Sequence, residues 1–317
     1  MGRSGCKIEN CYNVNTTVVT SEGENYGAAG IVGQTSDDVD NCTNSGNIVS
    51  NGVSYVGTIG GVAIGDSRCG GIVAFVTDSA KITNCKNMGS ISAKGSCVGG
   101  VVGYLKANVN ILVENCVNTG KVSTEGEFIG GIVGYLGNGA TVKECINNGN
   151  IDAKKIAVYG DKSFVGGIVG NVSFGSNVLS NSNTGNVSGT GKFVGGIVGK
   201  MSYNSSMETS SSILSKCYNL GKITGESDVG GIAGNVDGKN QQVLSCYNKG
   251  IVSGTSNIGS AIGSCELTDN TLNHLYYLST LNYKAINNVN YDEKNITSTT
   301  KNINSFGEFK TWIAKFN

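Results

Sequence analysis

The chain has 317 residues, 49 of them glycine and none proline, with 23 basic and 23 acidic side chains and a formal net charge of zero. Balanced charge removes the electrostatic case for nucleic acid or an anionic membrane surface. No apolar run approaches the roughly 18 residues that a membrane-spanning helix needs. So much glycine would suit a disordered chain, but Ile and Val recur at fixed offsets from glycine pairs, which disorder does not require.

In chain order, Met1-Gly2-Arg3-Ser4 leads straight into repeat-like sequence, so no signal peptide is legible and the chain reads as a fragment of a longer protein. Cys11-Tyr12-Asn13 opens a series of the form Cys-x-Asn-x-Gly. It returns at Cys42, Cys85, Cys116, Cys145, Cys217 and Cys246, and Asn181-Ser182-Asn183-Thr184-Gly185 puts Asn in the Cys slot. A second block alternates with it. Worn copies stand at Ala29-Gly30-Ile31-Val32-Gly33 and Cys69-Gly70-Gly71-Ile72-Val73-Ala74, and a looser one at 98–103. The full form, Phe128-Ile129-Gly130-Gly131-Ile132-Val133-Gly134, recurs at 164–170 and 193–199, then loosens at 229–234 and 258–263. Cys116 to Cys145 is 29 residues, as is Cys217 to Cys246; longer intervals carry insertions at about 50–68, 152–163 and 200–212.

A period of this length marks a stacked array, because so short a unit cannot bury its own apolar face. Each unit reads as three short strands separated by polar turns: one ending at the Cys (Thr141-Val142-Lys143-Glu144-Cys145), one after the Gly (Lys121-Val122-Ser123), and the Gly-Gly-Ile-Val-Gly block. The expected fold is all-β, a β-solenoid (right-handed parallel β-helix) of about nine coils over residues 1–280. At a strand spacing of roughly 4.8 Å the rod would be about 43 Å long. The cysteines should form an inward column of reduced thiols, acting as small buried hydrophobes. The Asn two residues later should face inward at a corner, where stacked amides bond one another. The following Gly would take a left-handed or otherwise restricted bend. Ile197 and Val198 are adjacent and both apolar, so either the glycine pair kinks the chain or something else covers one of them. Cys69 and Cys97 fall off the column.

The residue between Cys and Asn should point outward, and in the last units it is Tyr218, Tyr247 and Tyr276. These three are the candidate ligand-binding residues, as an aromatic strip; the competing expectation is that the C-terminal segment folds back over them. The repeat degrades at Leu275-Tyr276-Tyr277 and fades into Asn- and Lys-rich sequence. Residues 281–317 form a capping segment. Within it Phe306, Phe309, Trp312, Ile313 and Phe316 line one helical face, and Ser305 with Glu308 makes a capping box. This helix, or the segment just before it, should cover the strand edges of the last coil.

Gly-Gly-Ile-Val-Gly alternating with Cys-x-Asn-x-Gly, from about Cys11 to Tyr277, resembles the GLUG-motif repeats of bacterial surface proteins, including repeat regions attached to IgA-specific metallopeptidases and to large adhesins. The resemblance implies an extracellular or cell wall-associated location and a role in adhesion or display, with a host or cell-surface glycan or protein as partner. It implies no particular ligand. The peptidase branch needs two His on one helical face, and this chain has His274 alone. A Ser-His-Asp or Cys-His site would rest on the same residue. Some β-helices cleave polysaccharides with clustered carboxylates; Asp37, Asp38 and Asp40 cluster here, on a turn that explains them equally well. The expectation is therefore a non-enzymatic repeat region, monomeric as a fragment, with no catalytic residue, metal or cofactor. The alternative is a secreted glycan-active β-helix enzyme, a lyase or glycosidase. An ice-binding solenoid would need a regular Thr ladder, and the threonines here are irregular.

Overall fold

The computed structural model describes residues 2–20, 27–52, 55–59, 62–65, 68–106, 110–137, 139–154, 162–173, 175–202, 211–266, 269–278, 280, 283–287, 296–299 and 301–316. The chain winds as a parallel β-helix of about nine coils, and each coil contributes one short strand to each of five faces. In the coil through Cys145 these are Val133–Leu136 (face one), Thr141–Lys143 (face two), Ile146–Asn147 (face three), Ile151–Ala153 (face four) and Lys162–Gly166 (face five). Among the described residues the faces hold 9, 9, 10, 8 and 8 strands, all stacked in coil order. Equivalent residues stack from coil to coil: on face five Val98 lies beside Ile129, Ile129 beside Val165, and Val165 beside Val194, with one irregularity between Lys162 and Val165.

Five strands replace the expected three, and two local devices account for the difference. The residue before each Cys is left-handed: Asn10, Asn41, Asn84, Asn115, Glu144, Ser180, Lys216, Ser245 and His274 all have φ between 50 and 57°. That corner divides faces two and three where the sequence reads one continuous strand. The glycine after the Asn, by contrast, is not left-handed. A methyl at Gly120 would sit 1.9 Å from the Gly89 carbonyl oxygen, so that position needs glycine for close approach between coils.

The second device is the glycine pair, which kinks the chain between faces five and one. Ile197 and Val198 are consequently both fully buried in one core, although adjacent. The second glycine of each pair meets the ladder asparagine of its own coil across the middle of the rod. A methyl at Gly131 would lie 2.4 Å from Asn147 Cγ and 2.1 Å from the Gly167 carbonyl oxygen. Gly100 stands in the same way against Asn118, and Gly196 against Asn219. The two repeated motifs are thus two sides of one contact. It pinches the cross-section into a larger core holding the cysteines and a smaller one between faces four and five.

The first insertion holds an antiparallel hairpin, Tyr55–Ile59 with Val62–Gly65. The centres of the other two, 155–161 and 203–210, lie outside the described residues. At the C-terminal end, Ser260, Ala261 and Ile262 donate backbone bonds to the Lys284 and Ala285 carbonyls. Strand Ile296–Thr299 pairs in parallel with Leu275–Leu278. The segment before the helix therefore covers the last strand of face three and the junction of faces five and one, while helix α1 (Phe306–Ile313) folds back along the side. Ser305 Oγ accepts from the Glu308 amide at 3.1 Å, and Glu308 Oε2 accepts from the Asn304 amide at 2.9 Å, one residue earlier than in the usual box.

Candidate functional site

Tyr218, Tyr247 and Tyr276 do stand in register on the outer side of face three. They do not form an open strip, and this corrects their assignment as ligand-binding residues. Tyr218 and Tyr247 are fully buried beneath α1, in a cluster with Ile303, Phe309 and Ile313. Their hydroxyls donate to the Ile303 and Lys301 carbonyls, each at 2.8 Å. Trp312 meets Tyr276 edge-on with ring centroids 4.7 Å apart. Burial raises the pKa of all three phenols. The physical reason reaches beyond the cover. In-register aromatic residues stack face to face, here with Tyr218 and Tyr247 centroids 5.7 Å apart and planes at 12°. Each ring occupies the π-face that a sugar would need.

A second aromatic row escaped the sequence reading. Phe128, Phe164 and Phe193, each just before the apolar residue of a glycine-pair block, stack at 4.9 and 5.3 Å. On face one Tyr104 stacks on Tyr135 at 5.1 Å, and Phe75 meets Tyr104 at 5.2 Å with the planes tilted by 59°. Arg68 lies over Phe75 at 4.1 Å and Lys200 over Phe193 at 5.0 Å, both within cation–π range. The Phe that opens the three full copies of the block was the available signal.

The interior ladders account for the most conspicuous polar residues. From Asn13 through Asn44, Asn87, Asn118, Asn147, Asn183 and Asn219 to Asn248, each Nδ2 donates to the next Oδ1 at 2.7–2.8 Å. From Asn44 onward each Nδ2 also donates to the glycine carbonyl two residues ahead. All these donors point toward the C-terminal end, where Asn248 closes the series on the Ser260 carbonyl at 2.8 Å. The thiols of Cys42, Cys85, Cys116, Cys145, Cys217 and Cys246 donate to carbonyls two residues earlier, at 3.1–3.3 Å. Asn181, in the Cys slot, accepts from the Cys145 amide at 2.8 Å and donates to the Val142 carbonyl at 3.0 Å. Cys69 lies in the smaller core, and Cys97 takes the Phe position of its coil. Burial pushes both thiols up to about 12.

This chain matches no protein-family model, no curated protein and no solved structure at a significant level. Its chemistry must therefore be judged from its own geometry. His274 occupies the left-handed corner slot of its coil, with its ring 6.4 Å from that of Tyr276. The acidic cluster is engaged between coils: Asp38 Oδ1 accepts from the Lys81 amide at 2.7 Å, and Asp40 Oδ1 from Thr83 and Asn84 at 2.6 and 2.8 Å. Those side-chain bonds hold the Asp40 carboxyl below its usual range. Among the described residues no three His, Cys, Asp or Glu side chains converge as a metal site requires, and no helix is long and apolar enough to cross a membrane.

What does stand on the outside is a polar row along face four. Ser92, Ser123, Asp152, Ser188, Thr224 and Ser253 lie in register, one per coil, exposed or half-buried. A hollow of about 250 Å³ runs across this row beside Lys94 and Glu125, with Lys121 Nζ 3.3 Å from Asp152 Oδ2.

Proposed function

We propose that this chain is a non-enzymatic repeat region of an extracellular bacterial surface protein, acting in adhesion or display. The observation that carries this reading is the face-four row, which offers nearly the same small polar group from successive coils. A partner with its own repeats, such as a glycan, can take many weak contacts of this kind at once, and their combined strength comes from linkage. Catalysis asks for the opposite, a local break in the pattern that gathers reacting groups in one place. The likeness to GLUG-type repeats points the same way.

An array of purified glycans and host-matrix proteins, read for binding and for cleavage products, tests the proposal. Binding without cleavage, weakened when Ser123 and Ser188 are both changed to Leu, is the expected result. Appearance of cleavage products would favour the glycan-active alternative.

A further inference from the structure

The outer side of face four is three columns wide. The middle column is the row from Ser92 to Ser253, six positions in consecutive coils. Two residues earlier on each strand stand Lys121, Asn150, Asn186 and Lys222, all exposed. Two residues later stand Lys94, Glu125 and Lys154, exposed or half-buried. The residues between the columns, such as Val122 and Thr124, are buried, so the three columns share one surface. The Asn150 and Asn186 Oδ1 atoms accept from the amides of Asn186 and Lys222 at 3.0 Å, which leaves each Nδ2 as the group offered to a partner.

We infer that this surface binds a neutral, extended β-1,4-linked glycan laid parallel to the rod axis, one sugar ring to each coil. The inference rests on the reading of face four as a binding face and names the class of its partner. Spacing points to a sugar polymer. Coils repeat at about 4.8 Å, and a pyranose ring joined through opposite equatorial positions advances its chain by close to one such spacing. A chain of these rings can meet every coil in the same way. An extended peptide cannot, because its side chains alternate in direction at about 3.3 Å per residue. Each ring also carries hydroxyls along both edges, and the two outer columns flank the row where those edges fall.

Charge narrows the class further. The hollow across the row holds Lys94, Lys121 and Lys154 against Glu125 and Asp152. A polyanion would meet the two carboxylates, and a polycation the three ammonium groups. Neutral hydroxyls can donate to the first and accept from the second. Asp152, the one charged member of the middle row, is already paired with Lys121 at 3.3 Å. Serine and threonine at the other five positions keep the floor low enough for a ring to lie across it.

The test titrates the full chain by calorimetry with β-1,4-linked oligosaccharides of two to six rings, in the glucose, mannose and N-acetylglucosamine series. At least one series should bind, about tenfold tighter with six rings than with three, because joined rings add contacts at high effective concentration. A β-1,4-linked mannuronate hexamer, matched in spacing but anionic, and maltohexaose, α-linked and curled, should each bind at least about tenfold more weakly. Two substitutions then read the axis. Ser253→Leu leaves five undisturbed positions and Ser188→Leu leaves three, so the gain from added rings should stop at five and at three. Both variants should keep the parent thermal midpoint, since neither side chain lies in a core. Affinity that ignores ring number, an α-linked chain that binds equally well, or no binding in any of the three series would overturn the inference. After such a failure, a different partner lost on changing Ser123 and Ser188 to Leu would leave the adhesive reading standing. Cleavage of a bound β-1,4 glycan would do the reverse, ending the non-enzymatic reading while supporting this one.

Discussion

At the scale of single residues, the side chains that look most reactive are those most committed to the interior. Asn147 receives from Asn118, gives to Asn183 and Gly149, and accepts from the Gly149 amide. Leu fills similar volume but leaves those partners buried and unpaired, so Asn147→Leu should cost about 3 kcal/mol, measured by denaturant unfolding. The corner slot gives the opposite sign. Glu144 is exposed and left-handed at φ 54°, a conformation Asn tolerates far better than Glu. Glu144→Asn should therefore stabilise by up to about 1 kcal/mol, and Glu144→Val should destabilise. The thiols set a pH limit. Burial raises Cys69, Cys97 and Cys265 from 9.0 to about 12, so the folded state favours the neutral form. That contribution is fully present below the ordinary thiol value and is lost as pH rises from about 9 towards about 12. The denaturation midpoint should stay level through neutral pH and fall across that window. At neutral pH a native alkylating agent should reach Cys6 and Cys11 and spare the nine buried cysteines.

At the scale of elements, helix α1 and the strand before it do different jobs. Deleting 303–317 leaves Ile296–Thr299 on the last strand of face three but strips the cluster over Tyr218 and Tyr247. The shortened chain should associate or lose solubility through that aromatic face, read by light scattering; a well-behaved monomer would count against this. The same elements show what a sequence can and cannot disclose. The Cys column and the asparagine ladder were legible because one residue type fills nearly every copy of each slot, Asn181, Leu275 and Tyr277 being the departures. The helix was legible from its apolar spacing and its cap. The corner before each Cys was not, since Asn, Glu, Ser, Lys and His all occupy it and only the backbone angle unites them. That corner hides one strand division and the kink at the glycine pair hides the other, so the sequence shows three strands where the backbone makes five. The covered state of the tyrosines depends on how the C-terminal segment returns, a contact across 85 residues between Tyr218 and Ile303 that no local pattern encodes.

At the scale of the whole molecule, each coil touches chiefly the coil before and the coil after, so stability is close to a sum over neighbouring pairs. An inner coil has two such neighbours and the first has one. Hydrogen exchange should accordingly be fastest on strands Ile8–Glu9 and Tyr12–Asn13 and slow progressively towards Ile146–Asn147.

The nearest-neighbour stacking also has a mechanical side. If the two termini were pulled apart, the rod would not yield as one block. It would peel, each coil letting go only when it becomes the last one attached. A 29-residue turn, the distance from Cys116 to Cys145, then releases roughly 100 Å of slack for less than 5 Å of lost rod. The molecule would behave as a reel, lengthening coil by coil, in steps that run from 29 residues to 43 where an insertion enlarges the turn, and rewinding when the load is removed.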